Sequence, residues 1–126
     1  LLVLDSADSL NRLKDCTPCH FNAPLAIIVC YDNKASWKRS FDNEDMGVVD
    51  ASIVAPHIIL EVADLGLGST WVAYFDPDKV RELFSLPDNI IPVAVIPIGY
   101  PHADSVPAPG HTTRFDINDL TTYNSF

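Results

Sequence analysis

The chain has 126 residues, of which 48% are hydrophobic and 20% charged, and it carries a net charge of −9 at pH 7. That is the length of one domain, with enough apolar side chains for a core and too many for intrinsic disorder. The acidic balance argues against nucleic-acid partners and anionic membrane surfaces, which need a basic face, and no run of 18 apolar residues is present to span a bilayer.

The opening LLVL, residues 1–4, reads as a strand. It has no Met and no polar lead-in, so it resembles the second half of a buried strand, and the natural protein is expected to continue before Leu1. Ser6 or Asp5 then caps a short helix that carries Leu10 and Leu13 on one face. Residues 16–22, CTPCHFN, read as a loop, with Pro18 and Pro24 as punctuation. Residues 24–32, PLAIIVCYD, are continuously apolar and β-branched without alternation, which predicts a strand covered on both faces. Residues 33–47 are polar and loop-like, with two aromatics, Trp37 and Phe41.

Residues 48–66 are long enough for a helix of about five turns, with Gly66 as its C-terminal stop. Its middle is apolar almost all round: Ile53, Val54, Ala55, Ile58, Ile59, Leu60, Val62 and Ala63. Such a helix needs cover on every side, and in a chain of this size the centre of a homodimer supplies it. Pro56 is expected to kink or locally break the helix. Residues 68–76 read as extended. Asp76 then caps a helix that has Pro77 at its first position and Val80, Leu83 and Phe84 as its apolar stripe. Residues 89–101 form another apolar strand, and Pro92, Pro97 and Pro101 predict that it is irregular or lies at a sheet edge. Residues 102–114 are a Pro-rich polar linker, and residues 115–123 contain a short last helix. The order of elements places the chain among layered α/β or α+β folds.

CTPCH, residues 16–20, has the Cys-x-x-Cys-His spelling of a covalent haem attachment site. A haem also needs a second axial ligand, and the mixed strand-and-helix pattern is not that of a small helical haem wrapper. The loop reading prevails. Zinc fares no better, because Cys16, Cys19 and His20 lack a fourth ligand at finger spacing, so no metal is expected. The third cysteine, Cys30, leaves an odd number, which makes no disulfide framework and fits free thiols in a reducing cytoplasm. His57 reads as a core or interface histidine with one hydrogen bond, and His102 and His111 as solvated. LGLGST, residues 65–70, lacks GxGxxG and a Walker lysine, so it reads as a helix stop and a turn into a strand. Arg114 is either one half of a surface ion pair or an anchor for an anion, and the residues alone leave both open.

The ordered set of motifs in residues 50–101, DASIVAPHIILEVADLGLGSTWVAYFDPDKVRELFSLPDNIIPVAVIPIGYP, resembles the nitroreductase family of FMN enzymes. The resemblance lies in a long helix running into LGLGST, the strand at Trp71–Ala73, the FDP turn at Phe75–Pro77, the Leu86-Pro87 turn and the strand Pro92–Pro101. Upstream, NAPLAIIVCYD is similar to the family's AP strand, and SWKRSFD to a loop of some members; downstream, HTTRFDINDL is similar to a tail of the form K-x-R-x-P.

The resemblance implies an α+β fold, an α/β sandwich whose central sheet is flanked by helices, and a homodimer with the long helix at its centre. It implies one nitroreductase-like domain over residues 1–126, without the helical part that carries the family's N-terminal arginines. FMN would lie at the dimer interface. Thr70, Trp71, Val72 and Ala73 would stand against its ring and Arg114 at its phosphate, with Thr112 where other members have Lys and Tyr74 where some have Gly. The implied reaction is ping-pong hydride transfer from NAD(P)H through FMN to a nitroaromatic, quinone or related acceptor. The chemistry would be carried by the flavin rather than by a catalytic side chain. The alternative is a non-catalytic dimerisation scaffold or fragment that does not retain flavin.

Overall fold

The computed structural model describes residues 1–126. Strand β1 is Leu2–Leu4 and helix α1 is Ala7–Cys16. Ser6 is the residue that caps α1: its hydroxyl accepts from the Ser9 N–H while the Ser9 side chain accepts from the Ser6 N–H, a reciprocal capping box. The stretch after α1 is not a plain loop, because Pro18–His20 make a turn of 3-10 helix, followed by Phe21 and Asn22 in the left-handed region. Strand β2 spans Leu25–Asp32 and helix α2 spans Gly47–Asp64. A two-residue strand β3, Gly68–Ser69, leads to helix α3, Pro77–Leu83, and then to strand β4, Ile90–Gly99. Past β4 there is a 3-10 turn at Pro109–Thr112 and a single-turn helix α4 at Ile117–Leu120.

The four strands form one antiparallel sheet in the order β1-β2-β4-β3. Side chains leave it in both directions, and each face is covered. Ala26 and Ile28 of β2, Val95 of β4 and Leu4 of β1 pack with Leu13 and Cys16 of α1 and Val80 of α3. Val29 of β2 and Ala94, Ile96 and Ile98 of β4 pack on the other side with Ala51, Ala55 and Val62 of α2. The molecule is therefore an α+β sandwich, and the unbroken apolar run of β2 is explained by helices on both faces.

Of the two outcomes that its prolines predict, an irregular strand or an edge strand, the first holds: β4 is an inner strand with a register shift opposite Pro92. Two local features accommodate the prolines. Pro92 lies beside a bulge, where the register shifts between Val29 and Cys30, and where the adjacent Val93 and Ala94 both turn toward α2. Val95 exchanges both its hydrogen bonds with Val72, so by alternation the donor missing from Pro97 would point to the same side. There it falls in the gap between β3 and the Val72–Val95 bridge, where no ladder bond is lost.

Helix α2 runs without a break through Pro56, so the expected local break does not occur. Proline costs the helix only the bond that residue 56 would have donated to the Ser52 carbonyl, and Pro56 itself is exposed. The helix buries a stripe of small residues, Gly47, Ala51 and Ala55, and then Val62, against β2 and β4. Its opposite stripe, Val49, Ile53 and Leu60, is exposed, with Leu60 at 67%. Within this chain, α2 is thus covered on one side only.

Candidate functional site

The segment between α2 and α3 carries the residues the sequence singled out. Its start is fixed by a helix stop. Gly66 takes φ +73°, the Gly66 N–H donates to the Ala63 carbonyl at 3.0 Å, and the Leu67 N–H reaches back to the Val62 carbonyl at 3.0 Å. This is a Schellman ending, and Leu67 joins Val62 in the apolar layer under α2. Beyond it Gly68 and Ser69 pair with β4 as a strand and Val72 makes one isolated bridge to it, so less of residues 68–76 is strand than the extended reading implies.

Trp71 is half-buried on the α2 side of the sheet, and Val72 is buried on the α1 side. Val72 gives its N–H to the Val95 carbonyl at 2.9 Å and accepts from the Val95 N–H at 3.0 Å. The peptide unit is planar and trans, so a Val72 carbonyl aimed at β4 sends the Ala73 N–H the opposite way, off the sheet. Ala73 and Tyr74 are exposed, and neither backbone N–H has a hydrogen-bond partner in the protein; the same holds for Thr70. The far end of the segment is tied down again. The Tyr74 carbonyl accepts from Thr17 Oγ1 at 2.6 Å, and the Asp76 N–H donates to the Cys16 carbonyl at 2.8 Å. Asp76 then caps α3 by accepting from the N–H groups of Asp78 and Lys79 at 3.0 and 3.1 Å.

Two open clefts border this segment. One, of about 430 Å³, lies beside Tyr74 and Thr17 and has Lys14, Asp15, Asp76 and Lys79 on its walls. The other, of about 270 Å³, lies beside Thr70, Asn22, Pro24 and Tyr100. Neither cleft is lined by Thr112 or Arg114. Residues 101–120 are all exposed, Thr112 and Arg114 among them. The Arg114 guanidinium donates to the carbonyls of His111 and Thr113, at 2.9 and 2.7 Å, and to nothing on the body of the chain. The structure therefore groups Thr70, Trp71, Val72 and Ala73 on one rigidly held segment, and it does not bring Thr112 and Arg114 to them within one chain.

The CTPCH cluster takes a structural position. All three cysteines are free thiols. Burial pushes the Cys16 thiol above its ordinary pKa, Asp15 and Asp76 add to the rise, and Lys79 opposes it. A thiol held protonated at the C-terminal end of a helix is a poor nucleophile. Burial likewise raises the pKa of Cys30. His20 Nδ1 accepts from the Asn22 N–H at 3.0 Å, and no three His, Cys, Asp or Glu side chains are gathered so as to hold a metal ion. His57 is exposed, with its Nδ1 2.8 Å from the Ile53 carbonyl, so it is not a core residue of this chain. No helix is long and apolar enough to cross a membrane.

Sequence reasoning missed Thr17. A buried threonine inside a loop motif carries no sign of what it holds, because its partner Tyr74 is far away along the chain.

These features agree with what the chain resembles. Residues 10–100 match the nitroreductase family, and the chain belongs to it. A protein of Methanothermobacter thermautotrophicus, provisionally described as an NADH dehydrogenase/NAD(P)H nitroreductase, is 37% identical over 99 residues, which is 75% of this chain and 47% of that protein. The crystal structure of a nitroreductase family protein from Clostridium difficile 630 superposes with a TM-score of 0.89 at 36% identity, over 99% of this chain and 73% of that one. A structure described as an FMN-dependent nitroreductase from Clostridium difficile R20291 gives 0.66 at 25% identity, over 99% and 74%. The chain spans about half the length of the curated relatives it matches, 47% and 46% for two of them.

Proposed function

We propose that this chain forms the flavin-facing part of an FMN-dependent oxidoreductase that draws on NAD(P)H. The observation that carries this reading is the outward pair of backbone donors at Ala73 and Tyr74, unpartnered in the protein and held between two anchors. An isoalloxazine edge presents a nitrogen and a carbonyl oxygen, both acceptors, and fixed N–H groups against them stabilise negative charge on the reduced ring. Ala73 is small enough to let the backbone approach a flat ring. Val72, bridged to Val95, fixes that backbone at the edge of the sheet, with Thr70 and Trp71 leading into it. The names of relatives point the same way: one is described as FMN-dependent, and another is provisionally assigned NAD(P)H nitroreductase activity.

Bound there, FMN would supply the hydride chemistry, accepting from NAD(P)H and passing on to a nitroaromatic, quinone or related acceptor in a ping-pong cycle. The residues of this chain bind and orient; none is asked to move a proton. The phosphate falls to Arg114, assisted by Thr112, and charge-assisted hydrogen bonds suit that role. Because the tail does not fold back onto residues 70–73, we place it over the corresponding segment of a second copy, in a homodimer joined through the exposed face of α2.

The test is an FMN titration followed by flavin fluorescence, on the wild-type protein and on Arg114→Ala. The wild type is expected to bind and the variant to bind at least about tenfold more weakly. Unchanged affinity in Arg114→Ala would move the phosphate elsewhere. A wild-type protein that binds no flavin would favour the alternative, a family scaffold without cofactor.

A further inference from the structure

We infer that Thr17 is a positioning residue for the flavin-facing peptide units at Ala73 and Tyr74, which makes the CTPCH loop part of the cofactor site without contact to the cofactor. The inference rests on the flavin reading above, and its observations are separate from it. Thr17 is 2% exposed, and its hydroxyl uses both of its roles: it donates to the Tyr74 carbonyl at 2.6 Å and accepts from the Cys19 N–H at 3.0 Å. Its own N–H donates to the Leu13 carbonyl at 3.2 Å, so the hydroxyl is rooted in the end of α1.

The geometry of the segment shows what that grip does. The peptide between Val72 and Ala73 is oriented by the bridge to Val95. The peptide between Ala73 and Tyr74 has its carbonyl engaged by the Phe75 N–H at 3.1 Å, so planarity aims the Tyr74 N–H the other way. The next peptide has its carbonyl held by Thr17 and leads to Asp76, whose N–H is held by the Cys16 carbonyl. Val72 is thus the anchor on the sheet side, and Thr17 with Cys16 is the anchor on the α1 side. Without the hydroxyl, the Tyr74 carbonyl and the Cys19 N–H would both lose their protein partner, and only the Asp76–Cys16 bond would remain of the anchor on the α1 side.

Three substitutions at Thr17 separate this role from plain stability. Thr17→Val keeps the shape and removes the hydroxyl, Thr17→Ala removes it without steric risk, and Thr17→Ser keeps it. Each protein is titrated with FMN, and the visible absorption band of the bound flavin is recorded. Thr17→Val and Thr17→Ala are expected to bind FMN about tenfold more weakly, with a shifted band, and Thr17→Ser to restore both the wild-type affinity and the band. Wild-type affinity and spectrum in the Val or Ala variant would overturn the inference and leave the flavin reading standing. Failure of the wild type to bind FMN would sink the flavin reading, and this inference with it. Amide hydrogen exchange of the flavin-free wild type gives a check that needs no variant to fold. The Asp76 amide is expected to exchange as slowly as those of β4, and rapid exchange there would overturn the second anchor.

Discussion

At Gly47 a single added methyl has nowhere to go. A β-carbon built there would lie 2.1 Å from Cδ2 and 2.4 Å from Cε2 of the Tyr31 ring. Gly47 opens α2, and its N–H is tied down by donating to Asp45 Oδ1 at 2.8 Å. Gly47→Ala must therefore displace either the ring of Tyr31 or the first turn of the helix. It is expected to lose about 1–3 kcal/mol, the usual range for overpacking, read as a lower midpoint in a thermal or urea melt. Neither this contact nor the Thr17 grip on Tyr74 was legible in the sequence. Both join residues distant along the chain, and a glycine at the end of a polar stretch or a threonine in a loop looks the same whether or not something presses on it. The flavin-facing role proposed for Thr70, Trp71, Val72 and Ala73, by contrast, rests on a family motif, because local chemistry alone does not single these residues out.

Among the elements, what local chemistry governs was readable. Ser6, Asp76 and Gly66 mark helix ends as their side chains and φ preference require, because a cap bonds only to its immediate neighbours. What depends on a neighbouring strand was not. The prolines of β4 pointed to an irregular strand or an edge, but which of the two follows from the packing of distant pieces, and the places of bulge and gap were invisible until β2 and Val72 were in place. Pro56 is the element-scale exception, since the expected local break in α2 does not occur. The helix tolerates it by leaving the Ser52 carbonyl without its usual donor on the side away from the sheet. Pro56→Ala restores that donor and is expected to stabilise the protein by about 1–3 kcal/mol, measured as a raised melting midpoint. An unchanged or lowered midpoint would mean that the proline ring makes contacts worth more than the missing bond.

For the molecule as a whole, the sequence showed that α2 has more apolar surface than one chain covers, and the structure shows where it lies. Val49, Ile53 and Leu60 form a stripe opposite the one that faces the sheet, and the tail adds exposed Phe115, Ile117, Leu120 and Tyr123. Such a concentration of apolar surface is a mark of association. Ile53→Glu combined with Leu60→Glu is expected to convert a dimer to a folded monomer in sedimentation equilibrium, with the far-UV circular dichroism retained. Charged residues are poorly tolerated in the centre of an interface and cost little on a free surface. A wild-type protein that sediments as a monomer would remove the dimer from the functional reading and with it the route by which Arg114 reaches a flavin.

Strand β4 has a consequence for how the protein comes apart. One of its faces supports α2, the other supports α1 and α3, and its side away from β2 holds the segment at Val72. No layer can loosen without exposing apolar surface on β4, so the two helical layers and the segment at Val72 share a single cooperative unit. Residues 101–120, exposed throughout, stand outside that unit in the isolated chain. The body is thus built to melt in one step, while a displacement of residues 101–120 would leave its core covered.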